Sequence, residues 1–239
     1  MKKSKIALLI LVGLIVLVVL IVMGMGRIAI GKAIGNPPPE SSVEWTPSGD
    51  EVSKNMKLSG FDSVLVEAVW KVRINRSDEF STEIYYPSDM EDRLDVRVRG
   101  NQLVLGIKGN RNYSDTDLTA VINMPSLSDI RIDGAADIYF SGFDEDELSI
   151  SIDGAANIEG SDSKVDKLKV SLDGMGKIDL SAVPAVDARV DLNGAGDIRL
   201  EMNGGVLDGS LEGMGNIVYS GVVSEERIRI DGLGRVRAE

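Results

Sequence analysis

The residues with the strongest claim to chemistry are carboxylates at a fixed interval. Asp133, Asp153 and Asp173 each stand immediately before a glycine, and Asn193, Glu212 and Asp231 continue the series at the same place. If these units stack as neighbouring strands, adjacent carboxylates lie about 5 Å apart. That is the separation at which a pair of acids can cleave a glycosidic bond with retention, and stacked carboxylates can also hold a hard cation. The competing account is structural, because an Asx side chain before a glycine bonds backbone N–H groups at a tight corner. Any stack imposes the same spacing, so spacing alone is no sign of a designed pair.

Composition narrows the chemistry further. The chain has no cysteine and no histidine. Disulfides, thiolate metal sites, a lipid-modified cysteine and an imidazole base are all absent. With five tyrosines, four phenylalanines and two tryptophans among 239 residues, there is little to wall a sugar-binding cleft. Calcium-binding nonapeptide rolls need Gly-Gly-x-Gly-x-Asp every nine residues. The nearest match, Asn193-Gly194-Ala195-Gly196-Asp197, has the aspartate directly after the glycine and a period of about twenty. Its aspartate column also breaks, running Asp137, Asn157, Lys177, Asp197, Asn216, Arg235. No metal or other cofactor is therefore expected, and the column reads as a solvated face.

What must position these residues is a ladder of repeats. IRIDGAADIYF, ISIDGAANIEG, VSLDGMGKIDL, VDLNGAGDIRL, GSLEGMGNIVY and IRIDGLGRVRA follow one another from Ile130 to Ala238. The anchoring glycines are Gly134, Gly154, Gly174, Gly194, Gly213 and Gly232, at steps of 20, 20, 20, 19 and 19 residues. A fixed period of this size means stacked near-identical units. Aliphatic residues recur two before each glycine (Ile132 to Ile230) and four after it (Ile138 to Val236), alternating with polar ones. Period two marks strands with one buried face. The return segments Ser161–Lys167 and Ser181–Asp187 lack a helical apolar period, which disfavours a leucine-rich repeat. The expected architecture is all-β, a parallel β-helix of about 20-residue coils. Glycine at each corner serves either a positive φ or a close backbone approach.

Upstream the chain changes character. Residues 1–26 carry a basic head (Lys2, Lys3, Lys5) and twenty almost wholly apolar residues, Ile6–Met25. At 1.5 Å per residue that segment spans about 30 Å, enough to cross a bilayer as a helix. The lysines favour a cytoplasmic N-terminus, a single pass through the cell membrane and an extracytoplasmic domain. Gly24 and Gly26 leave cleavage as the other outcome. Residues 27–57 hold Pro37, Pro38, Pro39 and Pro47 and read as a semi-rigid linker. Residues 58–124 read as longer, less regular strands that form wide first coils and cap the N-terminal end of the repeats in 125–239.

Within 58–239, Gly60-Phe61-Asp62, Met124-Pro125-Ser126-Leu127 and the glycine ladder after them carry a resemblance. The sequence resembles the head GIN domain family, described as auto-transporter adhesins. The resemblance implies a right-handed parallel β-helix exported to the cell envelope, and it brings no catalytic residues. Family members are often lipoproteins. This chain has no cysteine to lipidate, so it depends on Ile6–Met25 for attachment.

Charge bears on partners. Residues 1–39 hold five basic residues and no acidic one, leaving 21 basic against all 38 acidic residues beyond them. A body this acidic repels phosphate backbones, so no nucleic acid partner is expected. The expectation is a non-enzymatic adhesion, interaction or structural module of the cell envelope, its partners the membrane and an envelope glycan or protein. Two alternatives stand beside it. One is a carbohydrate-active enzyme of pectin-lyase-like architecture using Asp133, Asp153 and Asp173. The other is a homo-oligomeric scaffold that polymerises end to end, against which Arg227, Arg229, Arg235 and Arg237 act by charging the last coil.

Overall fold

The computed structural model describes residues 49–109 and 118–239. The membrane anchor read over 1–26, and most of the linker read over 27–57, lie outside the described residues. Among the described residues, no helix is long and apolar enough to cross a membrane.

From Asp129 onward the repeats form paired strands, one on each side of every glycine corner. They are β8 (Asp129–Ile132) and β9 (Ala135–Ser141), β10 (Asp144–Ile152) and β11 (Ala155–Ser161), β12 (Lys164–Leu172) and the long β13 (Met175–Leu192). β14 (Ala195–Asn203), β15 (Val206–Leu211), β16 (Met214–Val222), β17 (Glu225–Ile230) and β18 (Leu233–Ala238) complete the ladder. Every strand pairs in parallel with the equivalent strand one coil away, so Ile138, Ile158, Ile178, Ile198, Ile217 and Val236 fall in one column. This is the expected parallel β-helix, with about 20 residues per coil.

Burial follows the alternation. In one circuit the buried residues run Leu148, Ile150, Ile152, then Ala156, Ile158, Gly160, then Ser163, Val165. Two or more outward residues interrupt the run at Asp146–Glu147, at Asp153–Ala155 and at Ser161–Asp162, so each coil turns three corners. Gly160 is small for a packing reason: a Cβ there would stand 2.5 Å from Cζ of Phe140, whose ring fills that level of the core. The change from 20 to 19 residues is made at the corners. β13 and β14 lose register between Leu180 and Pro184, and pairing resumes at the proline, opposite Glu201; an irregularity is where a strand tolerates proline. The next coil regains most of the lost residues at Asn203–Gly205, with Gly204 at φ +104.

Three features mark the N-terminal part. First, the strands β2 (Ser63–Val66) and β3 (Val69–Arg76) are a full member of the stack, forming a first coil beside the cap. Val64–Val66 pair with Ile130–Ile132, and Val69–Asn75 pair with Ala135–Ser141. The chain then folds back outside this coil. β6 (Gln102–Ile107) adds to β2, and β7 (Thr119–Met124) adds to β3, so the β2–β3 coil lies between chain segments that follow it in sequence. Second, the end is closed by antiparallel strands. β4 (Ser81–Pro87) covers β7, and β5 (Leu94–Arg99) forms a hairpin with β6. A short 3₁₀ helix, Ser88–Arg93, buries Met90 between them. Third, β1 (Glu51–Met56) pairs antiparallel with β4, so the linker reading over 27–57 does not hold across that strand. An antiparallel edge strand with five exposed residues needs little apolar content, which is why composition disguised it.

Candidate functional site

The corner glycines come first, because they set the geometry of everything around them. None of Gly134, Gly154, Gly174, Gly194, Gly213 and Gly232 has a positive φ. Each is small because the neighbouring coil approaches it: a Cβ on Gly154 would overlap the Gly134 carbonyl, and one on Gly174 would overlap the Gly154 carbonyl. Of the two reasons available to a corner glycine, close backbone approach is the one at work.

The carboxylates before them are all exposed. Asp173 Oδ1 accepts from Asn193 Nδ2 at 2.8 Å and Oδ2 from Ser171 Oγ at 3.3 Å. Arg229 bridges Glu212 and Asp231 at 2.7 Å each. Among the described residues, Asp133 and Asp153 show no side-chain hydrogen bond, so a backbone-capping role is not what holds the row in place. The corner backbone is satisfied instead by the coil below, as where Asp153 N–H donates to the Ile132 carbonyl at 2.9 Å. Among the described residues, no group of three or more acids is placed to hold a metal ion.

A second surface lies on the outer face of β3, β7, β9, β11 and the first half of β13. A shallow concavity of about 580 Å³ is lined there by Lys71, Arg73, Asp137, Tyr139, Asn157, Glu159, Lys177 and Asp179, among others. Its columns are built by register. Arg73, Tyr139, Glu159, Asp179 and Arg199 stack one per coil, beside Lys71, Asp137, Asn157, Lys177 and Asp197. Asn157 Nδ2 donates to Asp137 Oδ1 at 2.8 Å, and Asn216 repeats the contact on Asp197 at 2.7 Å. The Arg73 guanidinium stands 5.0 Å over the Tyr139 ring, whose hydroxyl shares a 2.6 Å hydrogen bond with Ser161. The Ser181 hydroxyl, 2.6 Å from Asp179 Oδ1, holds that carboxyl below its usual range, with Lys177 and Arg199 assisting. The face thus offers fixed donors and acceptors of both signs in parallel rows.

Asp133, Asp153 and Asp173 do not line this concavity. The sequence reading missed Arg73, Tyr139 and Glu159: Tyr139 and Glu159 share one place in the repeat with Asp179 and Arg199, but the residue type there changes from coil to coil, and Arg73 joins them only through the β3 pairing. The signal was present: Val66-Glu67-Ala68-Val69-Trp70 aligns with Ile132-Asp133-Gly134-Ala135-Ala136. Alanine in place of the glycine, and tryptophan in place of the alanine, concealed it.

Residues 60–184 match the family model described as "Putative auto-transporter adhesin, head GIN domain". Among solved structures, the chain is similar to a putative adhesin from Bacteroides fragilis, at 20% identity and a TM-score of 0.61, covering 82% of this chain and 100% of that one. It is similar also to a putative adhesin from Parabacteroides merdae (17%, TM-score 0.51, 82% and 98%). A third is described as a putative lipid binding protein from Parabacteroides distasonis (17%, TM-score 0.54, 82% and 99%). Identities this low carry the fold alone. No curated protein matches the chain.

Proposed function

Given that the chain belongs to the head GIN domain family of putative auto-transporter adhesins, we propose that it is a non-enzymatic interaction module of the cell envelope. Its partners on this reading are an envelope glycan or protein, met through the rowed outer face of β3, β9, β11 and β13. The carrying observation is that this face repeats its polar side chains coil by coil, with Asp137–Asn157 and Asp197–Asn216 as equivalent pairs. Such a face suits many weak contacts to an extended partner, whose free energies combine through effective concentration.

The enzymatic alternative asks two carboxylates to flank a substrate in a cleft. Asp133, Asp153 and Asp173 stand on an exposed corner edge instead. We also propose a single membrane-spanning segment at Ile6–Met25, with the domain outside the cytoplasmic membrane. The supports are the length and hydropathy of that stretch and its lysine-rich head. The coil is read as right-handed, the sense that strand twist favours for parallel connections.

The test has two arms. Protease added to intact cells should degrade 58–239 and spare the basic head; protection until lysis would overturn the orientation. The full chain, arrayed against envelope glycans and envelope protein fractions, should be retained by one of them. Retention should fall in Arg73→Ala and Lys177→Glu, and retention unchanged in both would remove this face from the reading.

A further inference from the structure

Seven outward residues fall in a single column one place after the corner: Val69, Ala135, Ala155, Met175, Ala195, Met214 and Leu233. All seven are apolar. Eight large hydrophobic residues are exposed among the described residues, and four of them, Val69, Met175, Met214 and Leu233, stand here at 46–78% exposure. At one strand spacing per coil the column is about 29 Å long. An uninterrupted apolar line on so acidic a body is the kind of surface that marks an interface.

The rows beside it say what covers it. On one side run Glu67, Asp133, Asp153, Asp173, Asn193, Glu212 and Asp231; on the other run Lys71, Asp137, Asn157, Lys177, Asp197, Asn216 and Arg235. All three rows belong to one continuous surface. The apolar column shares one concavity with the second row near Met175, and another with the first row near Met214. A two-fold axis parallel to the solenoid would lay each coil against the same coil of another copy and reverse the strand direction. The first row then faces the second, level by level. Asp173 meets Lys177, Asp231 meets Arg235 and Glu67 meets Lys71. Asp153 meets Asn157, Asn193 meets Asp197 and Glu212 meets Asn216. Asp133 against Asp137 is the one like-charged level. The opposite arrangement, with stripes antiparallel, lays the acidic row on the acidic row.

We propose that the protein pairs with a second copy of itself, side by side and parallel, through the column from Val69 to Leu233. The column and its two flanking rows cover about 600 Å² per copy, at the low end for a specific interface, so the pair is weak and reversible. This inference does not rest on the adhesive reading; its apolar column is distinct from the ligand face, its second flanking row, Lys71 to Arg235, is shared with that face, and the Arg73–Tyr139–Glu159 column stays outside the pair.

The chain has no cysteine, so single cysteines report position cleanly. The full chain, purified in detergent, would carry Ala135→Cys, Ala155→Cys or Ala195→Cys one at a time, with Ala182→Cys, exposed at another corner, as control. Under mild oxidation all three stripe variants should form disulfide-linked dimers about tenfold more efficiently than the control, since only the parallel pair brings each position to its own copy. Met175→Asp in each background should reduce the yield to the control level, and melting would confirm that it still folds. Asp173→Lys should weaken cross-linking, and adding Lys177→Asp should restore it. Equal yields from stripe and control would overturn the proposal. So would cross-linking at only one of the three heights, persistence through Met175→Asp, or adducts to another protein in place of the dimer.

Discussion

The Gly134 carbonyl accepts the Ala155 N–H at 3.0 Å and occupies the space that a Cβ on Gly154 would need. One oxygen therefore holds two coils together and fixes which residue can stand at the corner. Gly174 repeats the relationship on Gly154, and Gly194 repeats it on Gly174. Glycine recurs in this sequence because backbone meets backbone there.

Gly154→Ala or Gly174→Ala should accordingly lower stability by about 2–4 kcal/mol, since two coils must move apart to admit the methyl group. Gly204→Ala is the comparison. Its φ of +104 is costly for alanine, but no atom lies within 4 Å of the added carbon, so about 1–2 kcal/mol is expected. Denaturant titration of each variant measures the order, and equal losses at all three positions would separate the glycine period from coil contact.

The aliphatic columns make a second, larger prediction. Ile178 is fully buried between Ile158 and Ile198. Ile178→Asp places an unpaired charge between stacked apolar layers and should cost more than about 4 kcal/mol, enough to abolish the cooperative transition. Met175→Asp, three residues away and 64% exposed, should change stability by less than about 0.5 kcal/mol. Circular dichroism melts of the two side by side would show whether inside and outside are assigned correctly.

Acid should act through two carboxyls with opposite sign. Asp179 is held below its usual value of 3.8, chiefly by Ser181. The unfolded chain thus takes up its proton first as pH falls. Its contribution is present above pH 3.8 and is lost below it, and Asp179→Asn should flatten that limb, by less than about 1 kcal/mol given its exposure. Glu145 goes the other way. Burial raises it above 4.5, against the Leu127 N–H that it accepts at 2.8 Å. Its stabilising share is present below pH 4.5 and is lost as pH rises through the raised value. Glu145→Gln should therefore gain on the parent above that value and not below it. A melt series from pH 3 to pH 7 reads both.

The repeats were legible because each column repeats one residue type at one interval, and six copies average out local noise. The register of the β2–β3 coil was not. There is a physical reason for each substitution that hid it. Ala68 sits where the other coils have glycine, yet its own carbonyl is the atom that a Cβ on Gly134 would strike. Trp70, 1% exposed, fills the core at the place where the next coils have only Ala136 and Ala156. Among the described residues its buried indole Nε1 has no hydrogen-bond partner, so size rather than hydrogen bonding accounts for it there. Strand direction at β1, β4 and β5 was invisible for another reason, since alternation reads the same in both directions. Of the candidate site, the corner carboxylates were found from sequence and the Arg73–Tyr139 column was not. Residue types mark the first, and only inter-coil register creates the second.

The central claim is that this face binds without catalysing. The most direct measurement incubates the full chain with whichever envelope polysaccharide retains it, following bound polymer and released reducing ends in the same sample. The expected result is retention with no release above a heat-inactivated control, unchanged in Asp153→Asn. Release of reducing ends that Asp153→Asn abolishes would contradict the account and make the corner carboxylates an active site.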